Sequence, residues 1–277
     1  MSDANELISF IASMSGEGNL RVEENLGEGY VRLRVSEAER RQAKHDIQHV
    51  EDIVIEMLRN ARDAGADKVY LATTKEDGVR TLVFLDNGSG VPQDMQERIF
   101  DARVTSKLES MKMDRWGVHG RGMALFSIKQ NTDEARVVTS DVDFGSVFKV
   151  SVATDRLGER ADQSSWPQAV KDEDGHYVCA RGPHNIIRAA CEFALEELRA
   201  CDVYLGSPSE IAATLQTVSM LLVFCLSMTK PSFRWSIAWV LLRMRKTLSV
   251  SVRVWALRCP SVRLIVSWLA RLSPFAV

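Results

Sequence analysis

Apolar and charged residues alternate along Gly29-Tyr30-Val31-Arg32-Leu33-Arg34-Val35, a two-residue period that predicts a half-buried strand. At Ser36 the period changes. Ser36 followed by Glu39 has capping-box spacing and predicts a helix running towards His49. Over residues 50–64 the apolar positions Ile53, Met57, Ala61 and Ala64 recur at helical spacing, and Gly65 supplies a stop. Two strands are predicted at 68–73 and 80–85, joined by the turn-like Glu76-Asp77-Gly78. A short apolar helix at 123–128 precedes a second hairpin, 136–140 with 147–153, that turns around Asp143-Phe144-Gly145. Residues 186–201 return to helical spacing, with Glu192, Glu196 and Glu197 off the apolar face. Helices followed by strands predict an α+β layer sandwich.

Composition changes this picture mainly in the second half of the chain. The 277 residues carry 26% charged residues and a formal net charge of -2, which gives no general field for nucleic acid. All 37 acidic residues lie before Thr217, together with 26 of the 35 basic ones, so the body is acidic and the tail basic. Residues 156–184 are polar and rich in turn formers, and read as a linker. From Thr217 onward Asp, Glu, Asn, Gln, Gly, His and Tyr are all missing, while Trp235, Trp239, Trp255 and Trp268 cluster there. Two readings fit that tail. Residues 211–228 form an uncharged apolar run of 18 with basic and aromatic flanks, the pattern of a membrane span. Out-of-frame translation also gives such a bias, and the irregular spacing of the charges in 234–271 favours it over an amphipathic face. The five cysteines, Cys179, Cys191, Cys201, Cys225 and Cys259, have no CxxC pairing and no histidine ladder, so they read as reduced thiols and not as a zinc site. The first residues lack a basic n-region, and a cytoplasmic location is expected.

Chemistry concentrates in three places. Glu56, Asn60 and Asp63 fall at i, i+4 and i+7 and share one helical stripe. Alone they read equally as the solvated edge of an amphipathic helix. Asp86-Asn87-Gly88-Ser89-Gly90 follows a predicted strand, and alone is a good turn. Trp116-Gly117-Val118-His119-Gly120-Arg121-Gly122 leads into an apolar helix, and glycines before a helix start let backbone N–H groups approach an anion. Each segment is weak evidence by itself. Their order and spacing together form a pattern.

That pattern resembles the GHKL ATPases, which comprise gyrase B subunits, ninety-kilodalton heat-shock chaperones, sensor histidine kinases and MutL mismatch-repair proteins. Glu56-Met-Leu-Arg-Asn60-Ala-Arg-Asp63-Ala-Gly-Ala is similar to the first box of the family, Asp86 to Gly90 to the second, and Gly117 to Gly122 to the third. Arg103-Val-Thr105-Ser106-Lys107 is most similar to the Ala-Thr-Ser-Lys stretch of MutL proteins, and the glycine segment also resembles type IIB topoisomerase B subunits. MutL proteins carry Phe-Arg-Gly-Glu where this chain has Val118-His119-Gly120-Arg121.

The resemblance implies a Bergerat-type two-layer α/β sandwich, a mixed sheet covered by helices on one face, over residues 36–155. Residues 1–35 would be an N-terminal arm and strand, 156–184 a polar linker, 185–216 a helical segment, and 217–277 the anomalous tail. It further implies ATP and Mg²⁺ as ligands. Glu56 would act as general base, Asn60 as metal ligand, and Asp63 as a neighbour of that pair. Asp86 would accept a hydrogen bond from the adenine amino group, with Gly88, Gly90 and Ser146 around the base. Ser106, Lys107, Gly117, Gly120, Arg121 and Gly122 would meet the phosphates, as could His119, and residues 103–122 would form a lid ordered by nucleotide. A slow ATPase that dimerises on closing is the leading expectation, with a MutL-like role in DNA transactions as its refinement. A regulatory module that binds nucleotide without hydrolysis, and a histidine kinase fragment, are the alternatives. No basic face in the body supports nucleic acid as a partner, and only residues 211–277 offer a membrane contact.

Overall fold

The computed structural model describes residues 22–106, 112–114, 117–119, 122–174, 176–197 and 200–227. In chain order β1 (Val22–Gly27) and β2 (Tyr30–Leu33) precede α1 (Glu37–Asp46) and α2 (Val50–Asp63), and β3 (Lys68–Glu76) and β4 (Val79–Asp86) follow. Then come β5 (Val104–Thr105), β6 (Lys112–Asp114), β7 (Gly117–His119), α3 (Ala124–Asn131), β8 (Glu134–Ser140) and β9 (Ser146–Ala153). The described chain closes with β10 (Gln168–Lys171), β11 (Tyr177–Arg181), α4 (Ile186–Glu196), β12 (Asp202–Gly206) and α5 (Pro208–Ser227).

Five strands make the main sheet, in the order β12-β3-β4-β9-β8, with β12 parallel to β3 and the other pairs antiparallel. The mixed sheet under helices is the α+β sandwich expected. Strand alternation assigns its faces. Val69, Leu71, Leu82, Phe84, Phe148, Val150, Val152, Val203 and Leu205 join one buried cluster with Ile53, Val54, Met57 and Leu58 of α2 and Ala190 and Phe193 of α4. The intervening positions Tyr70, Ala72 and Tyr204 point the other way and pack with Ile211 and Leu215 of α5. Tyr70 and Tyr204 stack there with ring centroids 4.5 Å apart. The second face of the sheet therefore also carries a helix, at its β12–β3 side.

The capping box forms as the spacing predicts. Ser36 Oγ accepts from Glu39 N at 3.2 Å, and Glu39 Oε2 accepts from Ser36 N at 2.8 Å. Helix α1 ends at Asp46, short of His49, because the next N–H groups have another acceptor: Asp52 Oδ2 takes those of Gln48 and His49 at 3.0 and 2.9 Å. Helix α2 ends where expected, with Gly65 in the left-handed region at φ +75°.

Three features had no clear local signature. Within the polar stretch 156–184 lie the β10–β11 hairpin and a segment that crosses the helices. There Glu159 holds the buried Arg80 at 2.7 Å, Gln163 donates to Glu51 at 2.6 Å, and Arg160 reaches Asp52 at 2.5 Å. Glu159, Arg160 and Gln163 thus meet polar partners on the helices and sheet. Strand β12 lies inside 185–216, where helix is expected, and α5 runs past Thr217, the first residue of the anomalous tail. Among the described residues no helix is long and apolar enough to cross a membrane. Residues 228–277, which carry most of the anomalous tail, and 1–21 of the N-terminal arm lie outside the described residues.

If the α2 face of the sheet is the core, Phe84→Ala should cost about 3–5 kcal/mol in urea unfolding. Val79→Ala, on a position 38% exposed, should change stability by less than about 0.5 kcal/mol. Similar costs at the two positions would contradict this assignment of the faces.

Candidate functional site

The site is set by a joint between the end of α2 and the end of β4. Gly88 lies so close to the helix that a Cβ would sit 2.8 Å from Ala64 Cβ and from the Ala64 carbonyl oxygen, and Ser89 N donates to that oxygen at 2.9 Å. Asn87 secures the other side, its Oδ1 accepting from the backbone N–H groups of Asp67 and Lys68 at 3.1 and 2.9 Å. Gly90, at φ +73°, touches the β8–β9 turn, and a Cβ there would fall inside the Asp141 carbonyl. These residues fit the loop to its neighbours. The glycine at 90 is required by the packing of the chain itself, a role distinct from the room for a base that the resemblance implies.

This joint brings the first two sequence boxes together. Asp86 is buried at the end of β4, directly opposite Ser146 at the start of β9, and its Oδ1 accepts from Gly88 N at 2.9 Å. Ser146 is buried too and lies 3.1 Å from Ser140 Oγ, which accepts from Val91 N at 2.7 Å. Ser140 thus holds the loop after Gly90 beside Ser146, a contact across 49 residues of chain with no motif to announce it.

On α2, Asn60 Nδ2 is buried and meets no hydrogen-bond partner among the described residues. Amide oxygen and nitrogen exchange by a half-turn, so a buried amide end without a partner suits a group awaiting a cation or polar ligand. Asp63 is nearly buried, with Arg62 Nε 3.3 Å from its Oδ1. Glu56 accepts from Arg59 Nη1 at 2.6 Å. Burial raises the Glu56 carboxyl above its ordinary value, with Arg59 opposing the shift and Asp114 and Asp46 adding to it.

The sequence reading assigned no role to Arg59 or Asp114. Asp114 on β6 takes Arg59 Nε at 2.9 Å on Oδ2 and Arg59 Nη2 on Oδ1, a two-point grip. Arg62 Nη1 is 3.4 Å from the same carboxylate and 2.8 Å from Glu197 Oε1 at the end of α4. These contacts span 52 to 135 positions of chain and leave no local pattern.

The segment expected to meet phosphates is described in part. Gly117 belongs to β7, which pairs with β6, and the Gly122 carbonyl accepts from Arg103 N at 2.9 Å. Helix α3 then starts at Ala124 with no side-chain cap on its first turn, leaving N–H groups of the kind an anion can use. Ser106 follows β5 and lies beside Tyr30. Lys107, Gly120 and Arg121 lie outside the described residues, as do other parts of the expected 103–122 lid; of His119 only the backbone is described, in β7.

Residues 47–163 match the family model described as histidine kinase-, DNA gyrase B- and HSP90-like ATPase. The DNA mismatch repair protein MutL of Thermodesulfovibrio yellowstonii is 34% identical over 98 residues, covering 34% of this chain and 18% of that protein. MutL of Pediococcus pentosaceus is 31% identical over 115 residues, 41% of this chain and 17% of the relative. MutL of Staphylococcus aureus strain Newman is 28% identical over 136 residues, 46% and 20%. The chain thus spans a fifth or less of the length of these curated relatives. Among solved structures, the mycobacterial sensor histidine kinase MprB aligns with 42% of this chain and 87% of its own at 19% identity, with a TM-score of 0.28.

Since Gly90 has room for no side chain, Gly90→Ala should destabilise the fold by at least about 1–3 kcal/mol, the cost of a left-handed non-glycine residue before any clash. Thermal unfolding of the variant checks this. Unchanged stability would show that the loop does not need its contact with Asp141.

Proposed function

Residues 47–163 carry a domain of the GHKL ATPase superfamily, similar to those of MutL proteins, and from that premise we propose that the chain binds Mg-ATP at the α2–β4 joint and hydrolyses it slowly. The observation that best supports this reading is the buried Asn60 Nδ2, which meets no hydrogen-bond partner among the described residues, on the same helix stripe as Glu56 and Asp63. That helix ends against the loop that follows Asp86.

The donor set fits the ligand chemically. Asn60 would hold Mg²⁺ through an oxygen, the donor this hard ion prefers, and the ion when bound would neutralise phosphate charge. Asp86, held by the Gly88 N–H, is a carboxylate, the acceptor type an exocyclic amino group calls for. Ser146, opposite it, adds a hydroxyl. The uncapped start of α3 offers N–H groups to phosphate oxygens. Glu56 would accept the proton of the attacking water with the oxygen that Arg59 does not hold. Phosphoryl transfer to water demands positioning above all, so slow turnover tied to a change of conformation suits this fold.

Nucleotide-dependent dimerisation and a part in DNA transactions are the finer proposals. The name of the relatives points to the second, and the acidic charge balance of the body lends it no support. A second reading, a module that binds ATP without turnover, is favoured by one observation, the 2.6 Å contact that occupies Glu56. Glu56→Gln separates the two. On the leading reading it abolishes measurable phosphate release and leaves ATP affinity within about threefold, a change under 1 kcal/mol. If the parent protein binds ATP but releases no phosphate, the module reading stands.

Two further outcomes follow. Glu56 is a base only when ionised, and its pKa is raised. Turnover should therefore rise with pH, with its acid limb displaced above the ordinary glutamate value. A rate that shows no acid limb would remove Glu56 as the titrating base. In Asp86→Asn, Oδ1 can keep the Gly88 bond while an NH₂ replaces the second acceptor. Isothermal titration should show ATP binding weakened by at least about tenfold with the fold retained. Unchanged affinity would take Asp86 out of the adenine contact.

A further inference from the structure

Arg59 has no part in the reaction as written above, yet among the described residues of the site it is a tightly constrained cation. Its side chain is 4% exposed, and its guanidinium serves two elements at once. Nε and Nη2 grip both oxygens of Asp114 on β6, while Nη1 reaches Glu56 Oε1 at 2.6 Å. A guanidinium is planar and its five N–H directions are fixed. Once Asp114 takes one edge, the direction of the remaining N–H groups is set, and with it the position of the carboxylate they hold.

We propose that Arg59 is a positioning residue for Glu56, and that Asp114 orients it in turn, so that one guanidinium links the β6–β7 hairpin to the base. The logic is that of a base held by an orienting group which is itself fixed by a third. This rests on the reading of Glu56 as general base. Asp114 is braced by Arg62, which reaches Glu197 at the end of α4, so the link is anchored outside the hairpin as well.

Electrostatics support the geometry. The groups that act on Glu56 are Arg59 on its own helix, Asp114 on β6 and Asp46 at the end of α1. Burial and the two aspartates favour the protonated, inactive form. Arg59 alone among these three opposes it. Arginine is suited to the task because it keeps its charge when buried, and the Asp114 hydrogen bond and the Glu56 charge offset its own desolvation.

The test uses the full chain with Arg59→Gln, Arg59→Lys and Asp114→Asn, each checked by thermal unfolding. It reads ATP affinity by titration, kcat against pH, and hydrogen exchange across 112–119 without nucleotide. Arg59→Gln should lower kcat by about tenfold or more, shift its acid limb to higher pH, and leave ATP affinity within about threefold. Arg59→Lys restores the charge without the two-sided grip, so the acid limb should recover while exchange across 112–119 stays fast. Asp114→Asn should speed the same exchange and lower kcat by a smaller factor. Adding it to Arg59→Gln should cost nothing more, since both act through one link.

An unshifted pH profile with kcat and affinity falling together in Arg59→Gln would make the residue merely structural and overturn the proposal. So would unchanged exchange across 112–119 in all three variants. A parent protein that binds ATP without turnover is a different failure, because it sinks the hydrolysis reading, whereas the exchange measurement judges the Arg59 link independently.

Discussion

Everything at this site depends on one close approach, the seating of Gly88 and Ser89 against the last turn of α2. No side chain fits between Gly88 and Ala64, and the Ser89 N–H satisfies the Ala64 carbonyl that the helix end would otherwise leave open. That contact ties a helix stripe to a strand end. Glu56, Asn60 and Asp63 then have a fixed relation to Asp86, and through strand pairing to Ser146. Gly90 and Ser140 extend the same arrangement to the β8–β9 turn. Small residues near the motif are thus explained first by backbone approach, and the ligand chemistry rests on what that approach assembles.

The sheet beneath the joint follows from simple alternation. Val69, Leu71, Leu82 and Phe84 belong to the cluster under α2 and α4, which makes the layer rigid where the site needs it. The opposite positions Tyr70 and Tyr204 are covered by α5. Two-sided burial at β3 and β12 makes that side of the sheet the better supported one. The proposed ligand-binding groups stand on a helix stripe and at the end of the central strand β4, where polar side chains can be buried without disrupting the core.

What could be read in the chain beforehand is what short range encodes. The Ser36–Glu39 box, the α2 periodicity and the Asp77-Gly78 turn each have their physical cause within a few residues. The boxes carrying Glu56, Asn60 and Asp86 were each weak alone, and stood out only through their order and spacing and the resemblance these carry. Strand β12 was not legible, because five residues after a helix carry too little pattern to outweigh it. Order in 156–165 was hidden since its polar residues suit a loop equally well until Arg80 and Glu51 are seen beside them. The Arg59–Asp114 grip was invisible for a stronger reason. It joins residues 55 positions apart and depends on both being in place.

The central claim is that the α2–β4 joint takes ATP together with a divalent cation held by Asn60. The most direct measurement is isothermal titration of ATP into the parent protein and into Asn60→Ala, each with magnesium and again with EDTA. Chelation should weaken binding to the parent protein by about tenfold or more, while Asn60→Ala should bind weakly in both conditions with its unfolding temperature little changed. Equal affinity with and without magnesium in the parent protein would contradict the account.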